Sequence, residues 1–578
     1  MSSRSTYAKA EMKFIDTTAL DDAVESTDYN QSFADLSLLK DQVSSDDYIN
    51  LGLNYTVLDG SKSEMPDNVS DIAFFSNVKS DDNCLFDDND TPMITVDFTE
   101  NHTSCGITLF FANEAPKKVQ LIWYDLNNVP LENKTVIINS LTYFVNAQVT
   151  NYGKLEIYFL ETYLPNRYIQ LNYILYGIVL DWQDQLIQSA TLTEEVDETN
   201  NTLPMNKCTL AIIDENNDFD IANSNGAWNA VQRNQKIILD EIIDGVTIPL
   251  GDFYLKDWSF SKNIAKFNLI DIVGYIEQFT FYGGIYTDYP VSDLIDDILE
   301  PCGIDYQIST DLSGITVSGY LGIITCRAAL QQVCFCTGIM ADCSRSDHIN
   351  IFIPESYVKT SIDTDRKFNG NSKVTLDKYV SSIKITSSKY TKASEVSEIY
   401  NGELAAGQTK IEYTQPFDTD ISVDNTAVCT ILEAHNNYCV VSMRRAATVV
   451  ISGYAYNKSD FSTLKEVEEL EANELENAKE FKCDLYSTVI GDVLQKLLDF
   501  YSYRQLVEVK YLIDSEMVTD WVSVRDKSRN MTAALIYQQS IDLSGGFIAK
   551  AKLRGYNVVP DYHYYAGTEL YGNDDFLI

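Results

Sequence analysis

The chain has 578 residues, 45% of them hydrophobic and 12% aromatic, so it is long enough to form several domains with cores of their own. It carries 43 basic and 85 acidic residues, a formal net charge of −42, which disfavours nucleic-acid binding through clustered cations. An acidic wall along which DNA slides without adhering and an acidic surface that only confers solubility both fit this charge.

Residues 1–50 are predicted to form an N-terminal arm, and residues 51–176 a β-sandwich. The arm is acidic and rich in serine, with one short strand near Ala10. In the sandwich, short β-type runs alternate with polar turns about every ten residues, and no helical period separates them. The predicted strands cover residues 72–75, 93–98, 106–111, 119–124, 135–138, 143–147, 155–159 and 168–174.

The next two segments, residues 177–285 and 286–370, are predicted to form a first β-barrel and a small α/β domain. At Val291 the apolar spacing becomes helical, and a second helical stripe begins at Cys326 with Thr325 as its N-cap. The barrel strands are expected at residues 190–196, 207–214, 235–241, 246–256 and 266–273, and the strands of the small domain at 314–317 and 349–353.

Residues 371–558 are predicted to form a second β-barrel with an inserted pair of helices, followed by an aromatic and acidic tail at residues 559–578. Thr463 and Glu466 have the spacing of a capping box, which predicts the first inserted helix. The second is expected at residues 493–503. The resulting fold class is mainly β with α+β parts.

Catalytic and metal-binding motifs are scarce. The chain has four histidines and lacks the short motifs of serine hydrolases, zinc proteases and phosphate-binding loops, so we predict that it is not an enzyme. Five cysteines lie within fifty residues of one another and close to His348: Cys302, Cys326, Cys334, Cys336 and Cys343. Cys334 and Cys336 diverge on a predicted helix, so buried thiols are favoured over a zinc site. We expect no metal and no cofactor.

The first sandwich contains a pattern that resembles the galactose-binding, discoidin-like jelly roll. The pattern comprises Leu58-Asp59-Gly60 and the strand runs at residues 94–98, 106–111 and 119–124. In that family, loops at one end of the sandwich hold the ligand, and aromatic side chains stack on sugars. The resemblance implies a carbohydrate site, with Phe74, Phe75, Tyr152 and Tyr163 as candidates. Alternatively, these aromatic residues belong to the core or pack against a neighbour.

A second pattern begins at Ala190 and includes residues 203–206, 212–221, 225–228 and 235–237, and ends at the strand run 250–255. It resembles the first barrel of tail hub proteins from phages of Gram-positive hosts. The similarity of layout extends from about Gly177 to Arg554. That resemblance implies a homotrimer in which two barrels per chain supply six similar walls, which matches a hexameric tail tube.

The leading hypothesis is therefore a structural hub at a phage tail tip or baseplate, assembled in the host cytoplasm and present in the virion. Its expected partners are further copies of itself, the tail tube and distal tail proteins, and a tip spike or fibre. Passing DNA would touch it without specific binding, and the acidic runs 194–197 and 214–220 would line that path or lie on an outer face. The alternative is an adhesin that binds cell-wall glycans during host attachment; a peptidoglycan hydrolase is the least favoured.

Overall fold

The computed structural model describes residues 5–40, 73–222, 234–368, 373–467, 477–525 and 531–558, except positions 16, 33, 88, 89, 113, 139, 215, 216, 218 and 545, and it also describes Trp228. The Leu58-Asp59-Gly60 motif, residues 225–227 and the predicted tail 559–578 lie outside this part of the chain. The described residues form thirty-five β-strands and five α-helices, which confirms the predicted mainly β fold. None of these helices is long and apolar enough to cross a membrane.

The elements follow one another in three groups. The first group contains β1 (Thr6–Ile15), α1 (Thr17–Asp22), β2 (Val24–Ser26), β3 (Phe74–Phe75), β4 (Met93–Phe111), β5 (Lys118–Tyr124), β6 (Pro130–Ile137), β7 (Thr142–Glu161), β8 (Gln170–Leu175) and β9 (Gly177–Gln183). The second contains β10 (Ile187–Glu195), β11 (Lys207–Ile213), β12 (Lys236–Ile243), β13 (Val246–Ser261), β14 (Ile264–Asp271), α2 (Ile272–Tyr275), β15 (Thr280–Phe281), β16 (Gly284–Pro290), α3 (Val291–Leu299), β17 (Tyr306–Ile308), β18 (Thr316–Leu321), β19 (Ile324–Thr325), α4 (Cys326–Thr337), β20 (Met340–Asp342) and β21 (Ile349–Phe352). The third contains β22 (Val358–Ile362), β23 (Lys373–Leu376), β24 (Ser382–Leu404), β25 (Gly407–Glu412), β26 (Phe417–Val423), β27 (Cys429–Ala434), β28 (Tyr438–Met443), β29 (Ala447–Glu466), β30 (Ala478–Lys482), β31 (Leu485–Ser487), α5 (Ile490–Ser502), β32 (Gln505–Leu512), β33 (Trp521–Arg525), β34 (Met531–Asp542) and β35 (Ile548–Val558).

The largest sheet has thirteen strands in the order β23-β32-β35-β34-β10-β11-β14-β13-β12-β1-β9, with β33 and β22 attached to β34. Its first half runs from β10 to β9 and its second half contains β22, β23 and β32 to β35. The halves meet where β10 pairs with β34. One hydrophobic core serves both halves, because Leu192 and Phe267 from the first belong to the same buried cluster as Val509 and Ile536 from the second.

Each half of this sheet curls. The outermost strands of the first half, β9 and β10, are joined by residues 184–186 alone. Three residues are too short to span the width of a flat sheet of seven strands, so the sheet must curl to bring β9 and β10 together. In the second half, the chain leaves β22 at Ile362 and pairs with the far strand β32 at Arg366 and Lys367. Both halves therefore have the barrel-like shape that their strand patterns predict.

The first strand of the chain is an internal strand of the large sheet. β1 pairs with β12 on one side and with β9 on the other, and its inward residues Ala10 and Met12 are fully buried. The short strand predicted near Ala10 thus closes the first half of the sheet across more than 160 residues of intervening chain. The remaining N-terminal elements, α1 and β2, pack on the sandwich, where Ala19 and Ala23 are buried.

The sandwich is one seven-stranded sheet, in the order β3-β8-β4-β7-β5-β6 with β2 beside β4. β4 and β7 are unusually long, and their register shifts repeatedly between Asp97 and Gly106. Ile94 before this irregular stretch and Leu109 after it belong to the same core, so the sheet bends back on itself into two layers. The separately predicted runs 93–98 and 106–111 are the two arms of a single bent strand.

The small α/β unit packs its helices around a second core. The apolar stripe of α3 is buried as its spacing predicts, and the Thr325 hydroxyl accepts the N-cap hydrogen bond from the Ala328 N–H at 3.2 Å. The last helix, α5, confirms the prediction at residues 493–503 and adds Val493 and Leu497 to the same core. Both helical predictions succeed because a buried stripe at helical spacing leaves few other packing solutions.

The first of the two predicted inserted helices is wrong in the part of the chain that the structure describes. Thr463 and Glu466 belong to β29, where Thr463 lies opposite Ile385 of β24. Residues 468–476 of the predicted helix lie outside the described residues. The backbone N–H and C=O groups at the start of β24 form hydrogen bonds with β29 on one side and β30 on the other. This strand pairing outweighs the local capping-box signal for a helix.

Gly555 is expected to tolerate no side chain. It lies in β35 between β32 and β34, and a Cβ there would overlap the carbonyl oxygen of Ala533 and crowd Ala534. We expect Gly555→Ala to destabilise the protein by about 1–3 kcal/mol, measured as a lower midpoint of urea unfolding. Gly491→Ala is the matched control, because a Cβ in this first turn of α5 meets no atom within 4 Å. Its midpoint should stay or rise; equal midpoints for both variants would contradict the close approach at Gly555.

Candidate functional site

Charged and polar side chains are buried where the two halves of the large sheet meet. Six residues form this junction cluster: Glu194 of β10, Arg345 of the loop after β20, Arg366 of the segment after β22, Tyr511 of β32, Glu516 of the loop after β32, and Gln539 of β34. The side chains of Glu194 and Glu516 are each 1% exposed and that of Arg345 is 8% exposed. The cluster therefore brings together three parts of the chain that are far apart in sequence.

Arg345 holds both carboxylate-bearing segments. Its Nε donates to Glu194 Oε1 at 3.0 Å and its Nη2 to Glu194 Oε2 at 3.4 Å, a two-pronged contact that fixes the guanidinium plane. The same Nη2 donates to the Glu516 carbonyl oxygen at 2.9 Å. Arg345 itself has a φ of 53°, in the left-handed region, so the loop is bent to deliver this side chain.

The other members complete the hydrogen bonds of the two carboxylates. Gln539 Nε2 donates to Glu194 Oε2 at 2.6 Å and to the Glu516 carbonyl oxygen at 3.2 Å, and the Tyr511 hydroxyl donates to Gln539 Oε1 at 3.2 Å. Arg366 Nη2 donates to Glu516 Oε1 at 2.5 Å. Burial raises the pKa of Tyr511, which keeps this hydroxyl a hydrogen-bond donor. Two carboxylates thus meet two guanidinium groups, and the buried charge is balanced.

A smaller polar cluster lies next to the junction, between the first half of the sheet and the small α/β unit. Asp271 caps α2 through the Gly274 N–H at 2.8 Å and accepts from the Asn206 N–H at 2.6 Å and the Cys343 thiol at 3.1 Å. Asp342 accepts from the Ser344 hydroxyl at 2.7 Å. Burial raises the pKa of Asp271 to about 6 and that of Asp342 to about 7.

These two aspartates line a cavity of about 10 Å³, which has room for about one water molecule. Its other walls come from the β10–β11 connection and from β20. Such a volume accommodates no organic substrate. The hydrogen bonds of the two aspartates hold the small α/β unit against the large sheet.

The clustered cysteines are placed as buried single thiols. The Cys302 and Cys336 thiols donate to carbonyl oxygens one helical turn back, those of Ile298 and Val333, each at 3.4 Å. His348 is bonded instead to Asn350 and Asp347 side chains at 3.0 and 2.7 Å. Across the described ranges, no three His, Cys, Asp or Glu side chains converge to hold a metal ion.

The four aromatic candidates for sugar binding do not converge. Phe74, Phe75 and Tyr152 are 0%, 7% and 1% exposed, so their rings form part of the sandwich core. Phe74 stacks on Phe159 with ring centroids 5.7 Å apart. Tyr163 alone of the four is exposed, at 47%, and its hydroxyl donates to the Ile138 carbonyl oxygen at 2.7 Å. Sugar binding by the sandwich stays a prediction.

The acidic runs expected to line a conduit are partly internal. Glu194 lies in the junction cluster, and Asp214 is 5% exposed and accepts from the Phe219 N–H at 2.8 Å. Asp197 accepts from Thr199 and Thr202 and so organises the turn after β10. Positions 215, 216 and 218 of the second run lie outside the described residues. The described acids with these bonds stabilise the fold.

Sequence reasoning missed the junction cluster, although one signal was present. Ala190, Leu192 and Glu194 alternate along β10, Val196 continues the alternation just after its end, and all four are buried. A carboxylate at an inward position of a strand requires a buried partner, so the alternation already marks Glu194 as paired. No local pattern identifies Arg345 as that partner, because it lies 151 residues away.

No protein-family model and no curated protein matches the chain. Among solved structures, it is similar to the prophage tail protein gp18 from Listeria monocytogenes EGD-e, with 10% identity and a TM-score of 0.36 over 65% of this chain and 91% of that one. It is similar to the tail protein from Neisseria meningitidis MC58, with 9% identity and a TM-score of 0.36 over 64% and 93%. The prophage MuSo2 43 kDa tail protein from Shewanella oneidensis gives 10% identity and a TM-score of 0.37 over 65% and 94%.

Removing the charge of Glu194 should destabilise the whole large sheet. Glu194→Gln leaves Arg345 buried without its carboxylate, which costs about 3–5 kcal/mol for a pair of this kind. The matched control is Glu480→Gln, which removes the partner of Lys384 from an exposed ion pair and should change stability by less than about 1 kcal/mol. Urea unfolding followed by tryptophan fluorescence measures both, and similar small effects would show that the junction does not hold the halves together.

The raised pKa of Asp342 predicts a stability that falls as pH rises. Between its ordinary value of 3.8 and about 7, the folded state holds a proton that the unfolded state has released, so unfolding is increasingly favoured as pH increases through this window. Asp342→Asn keeps an acceptor for Ser344 and cannot ionise. We expect the loss of stability between pH 4.5 and 7.5 to be smaller in this variant by about 1 kcal/mol or more. Parallel pH profiles for variant and unmodified protein would contradict this assignment.

Proposed function

We propose that the chain is a structural component of a bacteriophage tail, a hub at the tail tip or baseplate that links the tail tube to a spike or fibre. The observation that carries this proposal is the joining of two curled half-sheets into one thirteen-stranded sheet with a single core. Such a chain presents two barrel-like walls in a fixed relation. The domain layout between Gly177 and Arg554 resembles that of tail hub proteins, and this resemblance supports the same role.

A rigid pair of walls suits a symmetric ring. Three copies of a chain with two similar walls give six wall segments around an axis, so a homotrimer can continue a sixfold tube. For this, the two walls must not shift relative to each other. The junction cluster supports that requirement, because Arg345 bridges Glu194 in one half and Glu516 in the other within an enclosed site.

The bonding of the buried polar groups supports a structural role rather than catalysis. In the junction cluster each carboxylate accepts from an arginine, and in the smaller cluster Asp271 accepts three hydrogen bonds. The cavity beside them admits about one water. Side chains occupied in this way are held for packing, and none is left free to attack a substrate.

The second candidate is an adhesin that binds host cell-wall glycans through the sandwich. The observation that favours it is the exposed Tyr163 ring, beside Leu164 and Ile137, which are 48% and 53% exposed. An exposed aromatic residue among apolar neighbours at a loop end of a sandwich suits stacking on a sugar ring.

The hub proposal predicts a threefold assembly at one end of the tail. Light scattering of the purified protein should give the mass of three 65.3 kDa chains, and an affinity label on the chain should appear in virion images at the tail tip only. Label along the whole tube, or a monomer that binds cell-wall glycans and loses that binding in Tyr163→Ala, would contradict the hub and favour the adhesin.

A further inference from the structure

A group of lysines shares the solvent face of the large sheet. The register places Lys510, Lys550, Ser540, Thr193 and Lys207 directly beside one another on five successive strands, from β32 across β35, β34 and β10 to β11. Lys552 and Lys373 lie on the same face one pleat further along, on either side of Glu508. We call these five lysines, Lys207, Lys373, Lys510, Lys550 and Lys552, the lysine face.

Within the described ranges, the amino groups of the lysine face have no carboxylate partners, and that of Lys510 lies over the Phe368 ring, 5.4 Å from its centroid. Among the residues that the structure describes, none of the five forms an ion pair, and all but Lys510 are exposed. Elsewhere some lysines are paired, such as Lys236 with Asp252 and Lys359 with Asp520. What distinguishes the lysine face is that the strand register gathers five lysines on one surface. Unpaired cations on one face of a chain with about two acids per base leave a local surplus of positive charge.

The chain also carries a surface of the opposite kind. Residues 267–326 contain nine acids and no lysine or arginine. Within this segment, Asp293 and Asp297 project from the solvent side of α3 and Glu300 follows at its end, all three exposed. In the described part of the chain none of the three forms an ion pair, and Asp293 and Asp297 accept hydrogen bonds from the Ser292 and Tyr289 hydroxyls at 3.0 and 2.9 Å. We call these three side chains the acidic face.

We propose that the lysine face of one copy docks on the acidic face of a second copy, in a head-to-tail contact. The inference rests on the proposed ring assembly and names the surfaces that build it. Copies with a net charge of −42 repel each other, so association is favoured where unpaired cations meet unpaired acids. Because the two faces are different surfaces of one chain, the contact is heterologous, and repeating it builds a ring when the rotation between copies closes.

The same lysines are poorly arranged for a nucleic acid. Glu195, Glu508 and Asp542 lie among them on the same face, where they would meet phosphates. The net charge of the chain also repels a polyanion at long range. The separated carboxylates of an acidic helix fit this mixed surface better, because each of them can approach a lysine without approaching a neighbouring carboxylate.

A charge swap tests the contact. Lys207→Glu combined with Lys550→Glu should weaken self-association by about tenfold or more in sedimentation at low salt, and Asp297→Lys combined with Glu300→Lys should do the same. All four substitutions in one chain should restore association, because each contact again joins opposite charges. Unchanged circular dichroism and melting of each variant show that the fold is retained. Lys384→Glu with Lys458→Glu is the control of equal charge change, and it should associate like the unmodified protein.

The outcomes separate this inference from the hub proposal. If the unmodified protein forms trimers and both face variants do so equally well, or if the fourfold variant is not restored, the docking surfaces are wrong and the hub stands. If the unmodified protein is a monomer at every concentration and salt, both fail. Binding of duplex DNA that is lost in the lysine variant would assign the lysine face to nucleic acid and overturn the contact.

Discussion

The buried pairing of Glu194 with Arg345 is the constraint on which the large sheet depends. A carboxylate and a guanidinium group that lose their water must regain every hydrogen bond inside the protein, and here Gln539 and the Glu516 carbonyl complete the set. The partners come from both halves of the sheet and from the small unit. Glu194 of the first half is buried in a satisfied state only with Gln539 of the second half and Arg345 of the small unit, so these parts are held together.

Pairing between strands that are distant in sequence also joins the many short elements of this chain into a few large sheets. β1 closes the first half of the sheet although it begins the chain, and β34 pairs with β33 along its first part and with β10 along its second. In the sandwich, β4 and β7 each serve two layers by bending at shifts of register. Strand edges are satisfied by distant partners, and the domains predicted as separate are linked through continuous hydrogen bonding.

The charged side chains of this protein fall into three groups that differ in burial and in partners. Some acids are internal, such as Glu194 and Asp271, where arginines or backbone N–H groups hold them. Others are exposed on α3 without a cationic partner, while the lysine face carries the opposite charge on the large sheet. The net charge of the chain does not show these differences: the internal acids act on stability, whereas the α3 acids and the lysine face are the surfaces proposed for docking. The proposed ring draws on all three, because its walls must be rigid and its contacts selective.

The sequence by itself determined the type of most elements and the side that each buries. The helical stripe of α3, the N-cap Thr325 and the apolar pattern of β10 are local signals, and a local signal is sufficient to predict a helix, its start and a strand. Only the tertiary structure decided the rest: the partner Arg345, the pairing of β10 with β34, the burial of Phe74 and Tyr152, and the strand at Thr463. The physical reason is that periodicity records which face of an element is buried, whereas the neighbour of that face and of each strand edge is set by contacts between residues far apart in the sequence.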